Sequence, residues 1–350
     1  MRIGIIAPPW VAVPPPSYGG TEEVVDLLAR GLEALGHEVL LAAAADSTCP
    51  VPRVPGTAAA DFAALGTTDS ELAHVVRAYA AMGGVDLIHD HTVLGPLYRH
   101  RPPGVPVVAT NHGPLRPPQD DIYAAMAPDV HLVAISARQA ELTHGVRVAR
   151  VIHHGLDTAA VAVGRGDGGY AAFLGRMNPD KGVVEAIAVA RAAGIPLRIA
   201  AKMREDDELA YFHDHVERLL GDGVEYVGEV DKAGKYRLLG GAFALLNPLQ
   251  WDEPFGLVMI ESLATGTPIV GTPRGAAPEI VLQGRTGFLG PLEALSGLLA
   301  RASGLDRAAC RADAVARFDA ARMVADHVRL YEEILAGRVA TPPDRPGRRP

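Results

Sequence analysis

The stretch Asn247-Pro-Leu-Gln-Trp-Asp-Glu253-Pro-Phe-Gly-Leu-Val-Met-Ile-Glu261 carries two glutamates across a predicted strand-to-helix turn. The apolar run from Phe243 to Leu246 before it predicts a buried parallel strand. The proline after Glu253, followed by apolar residues at helical spacing, predicts a helix over 255–265 with proline in its first turn. Glu253 is therefore expected just before a helix N-terminus, with Glu261 inside the same helix.

This arrangement predicts a site for a ligand rich in hydroxyl groups. The N–H groups of Phe255, Gly256 and Leu257 are expected to be free at the helix N-terminus, where the helix dipole favours anions and hydroxyl oxygens. A glutamate inside the helix, as Glu261 is, can accept two hydrogen bonds from a vicinal diol such as a ribose. Taken alone, the two glutamates have alternative roles. A glutamate in the first turn can simply interact with the helix dipole, and one in the middle of the helix can belong to its solvated face.

Short apolar strands alternate with amphipathic helices in two series, which predicts an α/β protein with two Rossmann-like, doubly wound parallel sheets. The Gly-rich stretch Gly164–Gly169 separates the series and predicts a linker. We therefore predict domains over 1–163 and 164–319, a last helix over 320–335 and a disordered tail over 336–350. The predicted strands are Ile3–Ala7, Val39–Ala44, Val85–His89, Val105–Thr110, His131–Ile135, Arg150–Ile152, Ala171–Leu174, Leu197–Ala201, Val224–Val227, Phe243–Leu246 and Pro268–Gly271.

Two further segments place phosphate-binding groups at strand ends. Phe173-Leu-Gly-Arg176-Met-Asn-Pro-Asp-Lys181-Gly182 follows a strand, so Arg176 can grip phosphate oxygens in a fork while Lys181 adds a compact charge. After the first strand, Pro14-Pro-Pro-Ser-Tyr-Gly19-Gly20-Thr21 allows close backbone approach to a phosphate. This loop is neither GxGxxG nor a Walker motif, which counts against a nicotinamide enzyme or an NTPase.

Composition narrows the class of protein. The chain has 350 residues, of which 48% are hydrophobic, and this is enough for two cores. Its net charge of −8 argues against a nucleic-acid surface. The two cysteines, Cys49 and Cys310, have no metal-like spacing, so we expect a cytoplasmic protein with reduced thiols. The N-terminal apolar run is too short for a signal peptide or a membrane span, which leaves peripheral membrane contact open.

The two glutamates, Arg176 and Lys181 together closely resemble the signature of family 4 of the retaining glycosyltransferases, which have the GT-B fold. The resemblance implies that the two domains face a central cleft and that the last helix packs back on the first domain. It implies that Glu253 holds donor-sugar hydroxyls, that Glu261 holds the nucleotide ribose, and that Gly19 and Gly20 contact the diphosphate. Arg176 and Lys181 match the family pattern G-R-x(4)-K-G in full.

The histidines add a first-domain contribution. Thr110-Asn-His112-Gly113 resembles the family segment T-x-H-G, which implies that His112 lies beside the anomeric centre. His89-Asp90-His91 resembles the H-x-H segment on the acceptor side, and it lacks an obvious third ligand for a metal. His153-His154-Gly155-Leu-Asp157 replaces the usual N-G-x-D turn. Lys202 is left as an unassigned cation that could reach phosphate.

The resemblance predicts transfer of a hexose-type sugar from a nucleoside-diphosphate sugar to an acceptor hydroxyl, with retention and with neither a metal nor a cofactor. His112 and Glu253 are the predicted catalytic residues. The acceptor is a small molecule, a glycan or a lipid carrier. A sugar-nucleotide epimerase, a phosphorylase and a catalytically silent nucleotide-sugar-binding protein are the alternatives.

Overall fold

The computed structural model describes residues 1–17, 19–126, 129–143 and 146–339, apart from the side chain of Asp120. The chain folds into two units. One unit contains Met1–His154 and the C-terminal segment from Ala320, and the other contains Gly155–Asp319. This division falls before the predicted linker Gly164–Gly169, because the Arg311 guanidinium donates to the carbonyls of Thr158 and Val161 and so ties that segment to the second unit.

The first unit is built on a six-stranded parallel sheet with the strand order β2-β1-β3-β4-β5-β6. Its strands are β1 (Arg2–Ile6), β2 (Glu38–Ala42), β3 (Leu87–Asp90), β4 (Val107–Thr110), β5 (Val130–Ala134) and β6 (Val148–Val151). Its helices are α1 (Gly20–Ala34), α2 (Thr68–Ala81), α3 (Gln119–Ala124), α4 (Ala137–Glu141) and α12 (Ala320–Leu335).

The strands of the first unit are short apolar runs because helices cover a parallel sheet. The strands β3, β4 and β5 are buried along their whole length. Tyr79, Met82, Ile88 and Tyr123 are among the side chains that fill the core beside them.

The last helix, α12, packs against α1 in this unit. Gly31 allows the close approach, since a Cβ there would lie 2.5 Å from Cγ2 of Val324. A disordered tail is predicted from residue 336, but the first of these residues are hydrogen-bonded. The backbone N–H groups of Ala336, Gly337 and Arg338 bond to carbonyls in the last turns of α12. Residues 340–350 lie outside the described part of the chain.

The second unit has its own six-stranded parallel sheet, in the order β12-β11-β10-β7-β8-β9. Its strands are β7 (Ala171–Arg176), β8 (Leu197–Lys202), β9 (Val224–Gly228), β10 (Ala244–Asn247), β11 (Ile269–Gly271) and β12 (Gly287–Leu289). Its helices are α5 (Val183–Ala193), α6 (Asp206–Tyr211), α7 (Lys232–Gly241), α8 (Leu257–Ala264), α9 (Ala277–Ile280), α10 (Leu295–Ala302) and α11 (Arg307–Phe318).

Several elements of the second unit differ from the sequence prediction, among them one helix and one strand. The alternation of strands and helices predicts one continuous helix over 206–220, between the predicted strands Leu197–Ala201 and Val224–Val227. The segment is α-helical only to Tyr211 and continues as a π-helix over Phe212–Val216 and a 3-10 turn over Glu217–Leu219. The strand β12 was not predicted, because three residues are too few to show a period. Among the residues that the structure describes, none of the helices has the length and apolar character needed to cross a membrane.

Arg307, at the start of α11, joins several loops of the second unit. Its guanidinium donates to the carbonyls of Gly164, Gly240, Ala242 and Thr265 at 3.0–3.2 Å, and to Thr267 Oγ1 at 2.7 Å. Burial lowers the pKa of Arg307. These carbonyls lie in the loop at Gly164 and at the C-terminal ends of α7 and α8, so one planar cation joins three segments of the unit.

Replacing Arg307 with lysine should reduce the free energy of unfolding by about 2–3 kcal/mol, because a single ammonium cannot reach acceptors arranged around a plane. The chain has two tryptophans, Trp10 and Trp251. Urea unfolding in a Trp10→Phe background, followed by Trp251 fluorescence, measures the second unit. Arg191→Lys is the matched control, since Arg191 donates to one exposed carbonyl. Equal losses in both variants would contradict this role of Arg307.

Candidate active site

A lysine–glutamate pair lies where β7 and β10 end in the second unit. Lys181 Nζ and Glu253 Oε2 form an ion pair whose two side chains are 17% and 12% exposed. Trp251 Nε1 donates to the same Oε2 at 2.9 Å, and its ring lies 5.1 Å from Nζ of Lys181. No hydrogen bond from a described residue reaches Oε1 of Glu253. One carboxylate oxygen thus stays available for a ligand hydroxyl in a nearly buried setting.

Backbone contacts with the turn after β11 hold the loop that carries Glu253. The backbone carbonyl of Glu253 accepts a hydrogen bond from the N–H of Ala276 at 2.9 Å. Gly275 has φ +57°, and a Cβ there would lie 2.2 Å from both N and O of Glu253. Only glycine fits a left-handed position this close to another backbone. The position of Glu253 therefore depends on the turn after β11 as well as on its own loop.

The helix α8 begins later than predicted. Gly256 is its N-cap with φ +88°, and Leu257 is its first residue, so Pro254 and Phe255 precede the helix. The side chain of Phe255 is buried and packs edge-on against Phe318. The left-handed residue explains the difference, because a helix cannot continue through it.

Glu261 lies in α8 and forms an ion pair with Lys235 of α7 through its Oε1. Its side chain is 13% exposed. Across the described part of the chain, the hydrogen bond from Lys235 is the one that Glu261 accepts through its carboxylate. Its second oxygen, Oε2, is left for a ligand, as in Glu253.

Arg176 and Lys202, the last residues of β7 and β8, differ in their partners. The guanidinium of Arg176 makes no hydrogen bond or ion pair with any described residue, although the residue is half-buried. Lys202, by contrast, is 3% exposed and contacts Glu205 at 2.6 Å and Glu208 at 3.4 Å. Two carboxylates already offset its charge, which argues against Lys202 as a phosphate ligand. Arg176 thus has no carboxylate partner among the described residues.

The first unit contributes a histidine group at the ends of its strands. A 2.8 Å hydrogen bond joins His91 Nδ1 and His112 Nε2. The His112 ring also stacks on His154, with centroids 5.0 Å apart. Burial lowers the pKa of His112 to about 3, with a smaller contribution from His327. His112 is therefore a neutral imidazole at physiological pH.

His89 and Asp90 point to opposite faces of β3, as successive strand residues do. His89 is fully buried, and its ring nitrogens contact Tyr331 Oη at 2.6 Å and Thr110 Oγ1 at 2.7 Å. Asp90 accepts from Tyr79 Oη at 2.7 Å and from the N–H and hydroxyl of Thr92. The structure thus places Asp90 apart from His89 and His91, whose rings pack together, and Asp90 serves the core beside α2.

Gly19 is the N-cap residue of α1, and Gly20 is its first residue. A Cβ at Gly19 would lie 2.6 Å from Pro15 Cβ and 2.9 Å from Glu22 Oε2, so the loop requires glycine. Burial raises the pKa of Glu22 to about 7. Within 1–17, 19–126, 129–143 and 146–339, no group of three or more His, Cys, Asp or Glu side chains is placed to hold a metal ion.

Comparison with known proteins identifies the family. A model described as Glycosyltransferase Family 4 matches residues 18–160, and one described as Glycosyl transferases group 1 matches residues 162–301. The chain belongs to glycosyltransferase family 4. This family 4 glycosyltransferase is 28% identical to a phosphatidyl-myo-inositol mannosyltransferase of Mycolicibacterium smegmatis, over 95% of this chain and 94% of the relative. The Mycobacterium leprae protein of the same name is 27% identical, over 95% and 97%.

Solved structures agree with the GT-B fold. A glycosyltransferase involved in avilamycin A biosynthesis superposes with a TM-score of 0.76 and 27% identity, covering 96% of this chain and 98% of its own. The Anabaena protein HepE, solved with UDP and glucose, has a TM-score of 0.71 at 20% identity, over 95% and 99%. The second likeness supports the fold alone.

Sequence reasoning missed two partners of the glutamates in this family 4 glycosyltransferase. Trp251 lies two residues before Glu253, but nothing in the local pattern predicts that its indole turns back to the carboxylate. Lys235 is 26 residues from Glu261 and belongs to a predicted amphipathic helix, where a lysine is usually a solvated residue. Its place at the carboxyl end of β9 was the available signal, since ligands collect at that sheet edge.

The buried histidines predict acid sensitivity of the first unit. His89, His91, His112, His154 and His327 all have lowered pKa values, chiefly through burial. Below pH 6.5, the ordinary pKa of histidine, the histidines of the unfolded chain bind protons that the buried histidines of the folded chain do not bind. The free energy of unfolding therefore falls as pH falls. Each histidine that stays neutral lowers the free energy of unfolding by about 1.4 kcal/mol per pH unit. Burial raises the pKa of Glu22 to about 7 and that of Asp90 to about 6, and it also raises the pKa of Glu71. These three carboxyl groups act in the opposite direction but are fewer than the histidines.

Urea unfolding between about pH 7 and pH 5 measures this slope, using Trp10 fluorescence in a Trp251→Phe background. His327→Phe should reduce the slope by about one histidine's share, or 1.4 kcal/mol per pH unit. The His327 ring bonds to the Met323 carbonyl of its own helix, and a phenyl ring fills the same place against His89, so the hydrogen bond between His91 and His112 is kept. His213→Phe is the control, since that side chain is 60% exposed and lies in the second unit. A slope that does not change in His327→Phe would contradict the assignment.

Proposed function

We propose that this glycosyltransferase moves a hexosyl group from a nucleoside-diphosphate sugar to an acceptor hydroxyl, with retention of anomeric configuration and without a metal. The observation that carries the proposal is the sheet edge of the second unit. There Glu253 and Glu261 each keep one carboxylate oxygen without a hydrogen bond from a described residue, and Arg176, without a carboxylate partner, ends β7. Free carboxylate oxygens suit sugar and ribose hydroxyls, and a free guanidinium suits a diphosphate.

In the proposed reaction, a bond forms between the acceptor oxygen and the anomeric carbon while the bond from that carbon to the diphosphate oxygen breaks. The proton of the acceptor hydroxyl goes to the departing phosphate. Arg176 and Lys181 offset the negative charge that develops there, and the backbone N–H of Gly20 adds a hydrogen bond. Glu253 holds hydroxyls of the sugar and Glu261 holds the ribose. His112 contacts the sugar on the side of the first unit.

The relatives support a hexosyl donor, since those of Mycolicibacterium smegmatis and Mycobacterium leprae are named mannosyltransferases. We therefore place GDP-mannose first among the donors to test, followed by UDP-, dTDP- and ADP-sugars. Small molecules, glycans and lipid carriers remain the acceptor classes, and phosphatidyl-myo-inositol is the first lipid to include.

The assigned roles of the two glutamates predict different losses. Glu253→Gln should weaken binding of the intact donor by about tenfold to a hundredfold, because the sugar contact is lost. Binding of the free nucleoside diphosphate should not weaken, because Lys181 loses its ion-pair partner and stays available to the phosphates. Glu261→Gln should weaken both ligands by a similar factor, since both contain the ribose. Thermal shifts and calorimetry measure the four affinities.

Glu229→Gln is the matched control, because Glu229 pairs with Arg204 in the same unit and carries no assigned ligand contact. If no donor stabilises the wild-type protein, or if Glu253→Gln weakens the free nucleoside diphosphate as strongly as the donor, the assignment of the two glutamates fails.

The stereochemical outcome separates the proposal from its alternatives. With an α-linked donor and an acceptor, proton NMR of the product should show an α linkage, and activity should persist in excess EDTA. Release of a free epimerised sugar without acceptor would indicate an epimerase. Sugar 1-phosphate formed from inorganic phosphate would indicate a phosphorylase. A β-linked product or full loss in EDTA that Mg²⁺ restores would contradict the proposed mechanism.

A further inference from the structure

The hydrogen bond between His91 and His112 leaves one ring nitrogen of His91 without a partner. His91 is 5% exposed, and its Nε2 is buried with no hydrogen-bond partner in the described structure. Its other nitrogen, Nδ1, lies 2.8 Å from Nε2 of His112. The ring of His89 is packed beside it, with centroids 4.1 Å apart. His91 is thus enclosed, and the hydrogen bond of its ring within the described structure is the one to His112.

This geometry distinguishes the two tautomers. If His112 donated to His91, the remaining Nε2 of His91 would carry a proton and would be a buried donor without an acceptor. If His91 donates from Nδ1, its Nε2 is instead a bare acceptor. A buried donor without a partner is the rarer and costlier case. The second arrangement is favoured, and it makes Nε2 of His112 an acceptor and Nδ1 of His112 the protonated nitrogen.

The backbone around His112 is fixed by a separate residue. Gln139, in α4, is 1% exposed, and its Nε2 donates to the carbonyls of Asn111 and Gly113 at 3.0 and 2.6 Å. Its Oε1 accepts from the N–H of Ile135 at 2.8 Å. The turn that carries His112 is therefore tied on both sides to the residues after β5. Neither His91 nor Gln139 has a place in the reaction described above.

We propose that His91 and Gln139 are positioning residues, and that His91 fixes His112 as the neutral tautomer that presents an Nδ1–H donor to the sugar. This inference rests on the proposed function in naming the sugar as the group that receives the hydrogen bond. The tautomer itself belongs to the free protein.

A neutral donor suits the chemistry at this position. Positive charge develops at the anomeric centre as the diphosphate departs, and a protonated imidazole beside it would repel that charge. A neutral imidazole with a fixed N–H can orient a sugar oxygen without this penalty. Burial and, to a smaller extent, His327 lower the pKa of His112, which also favours the neutral ring.

Long-range proton–nitrogen NMR of protein labelled with ¹⁵N-histidine tests the tautomer without any substrate. The signals of His112 are identified by their loss in His112→Gln. We expect a protonated Nδ1 and a bare Nε2 in the wild type. His91→Phe should convert His112 to a mixture of tautomers, whereas His91→Asn, which can place an amide N–H near the same point, should preserve the wild-type form.

The kinetic consequence has a distinct pattern. His91→Phe should lower kcat by about tenfold or more with little change in donor KM, and His91→Asn should restore most of it, because one directed hydrogen bond is lost and regained. Gln139→Met should lower kcat while leaving the His112 tautomer intact. His213→Phe, in the second unit, is the control for labelling and folding and should alter neither readout.

Two results would overturn the proposal. One is a wild-type His112 that is protonated at Nε2, and the other is a His91→Phe protein, folded by its remaining histidine signals, with an unchanged tautomer. Because these readouts use the free protein, they stand even if no nucleotide sugar is found to bind. If His112 has the expected tautomer but no nucleotide sugar binds, the positioning role of His91 stands and only the proposed function is refuted.

Discussion

Parallel strand pairing is the constraint on which both sets of candidate residues depend. In each unit, parallel pairing brings the carboxyl ends of six strands to one edge of a sheet, so residues far apart in sequence become neighbours. Lys181 and Glu253 are 72 positions apart and form an ion pair because β7 and β10 are adjacent. His91 and His112 meet for the same reason, since they follow the paired strands β3 and β4. The chemistry thus follows from strand order as much as from motif.

Close backbone approach excludes side chains at two positions on the sheet edge of the second unit. A side chain at Gly182 would lie 2.1 Å from the carbonyl oxygen of Pro248, and one at Gly275 would lie 2.2 Å from the backbone of Glu253. These glycines join the loops after β7, β10 and β11 into one assembly. A carboxylate held this way loses little further freedom when it binds a hydroxyl, so more of the interaction energy can appear as affinity. The ion pair with Lys181 restricts the carboxylate further, because it fixes one oxygen of Glu253 and leaves the other available to a ligand.

The sequence predicted the parts of the structure that depend on local pattern. Alternating apolar strands and helices were enough for two doubly wound sheets, and the family resemblance was enough for the GT-B fold. The prediction from sequence missed the features that depend on tertiary contacts. The start of α8 depends on the left-handed Gly256, the separation of Asp90 from His89 depends on what packs against each face of β3, and the neutralisation of Lys202 depends on two glutamates of a capping box.

Buried histidines show how the first unit trades stability for a defined site. A polar ring is costly to bury unless it is hydrogen-bonded, and His89 meets this condition with bonds to Tyr331 and Thr110. His91 does not, since one of its nitrogens has no partner in the described structure. An apolar ring of similar size would fill the same space without that cost. The retained polar ring is understandable if its hydrogen bond to His112 matters more than its own burial, which is the pattern expected where a fold holds a functional group in one protonation state.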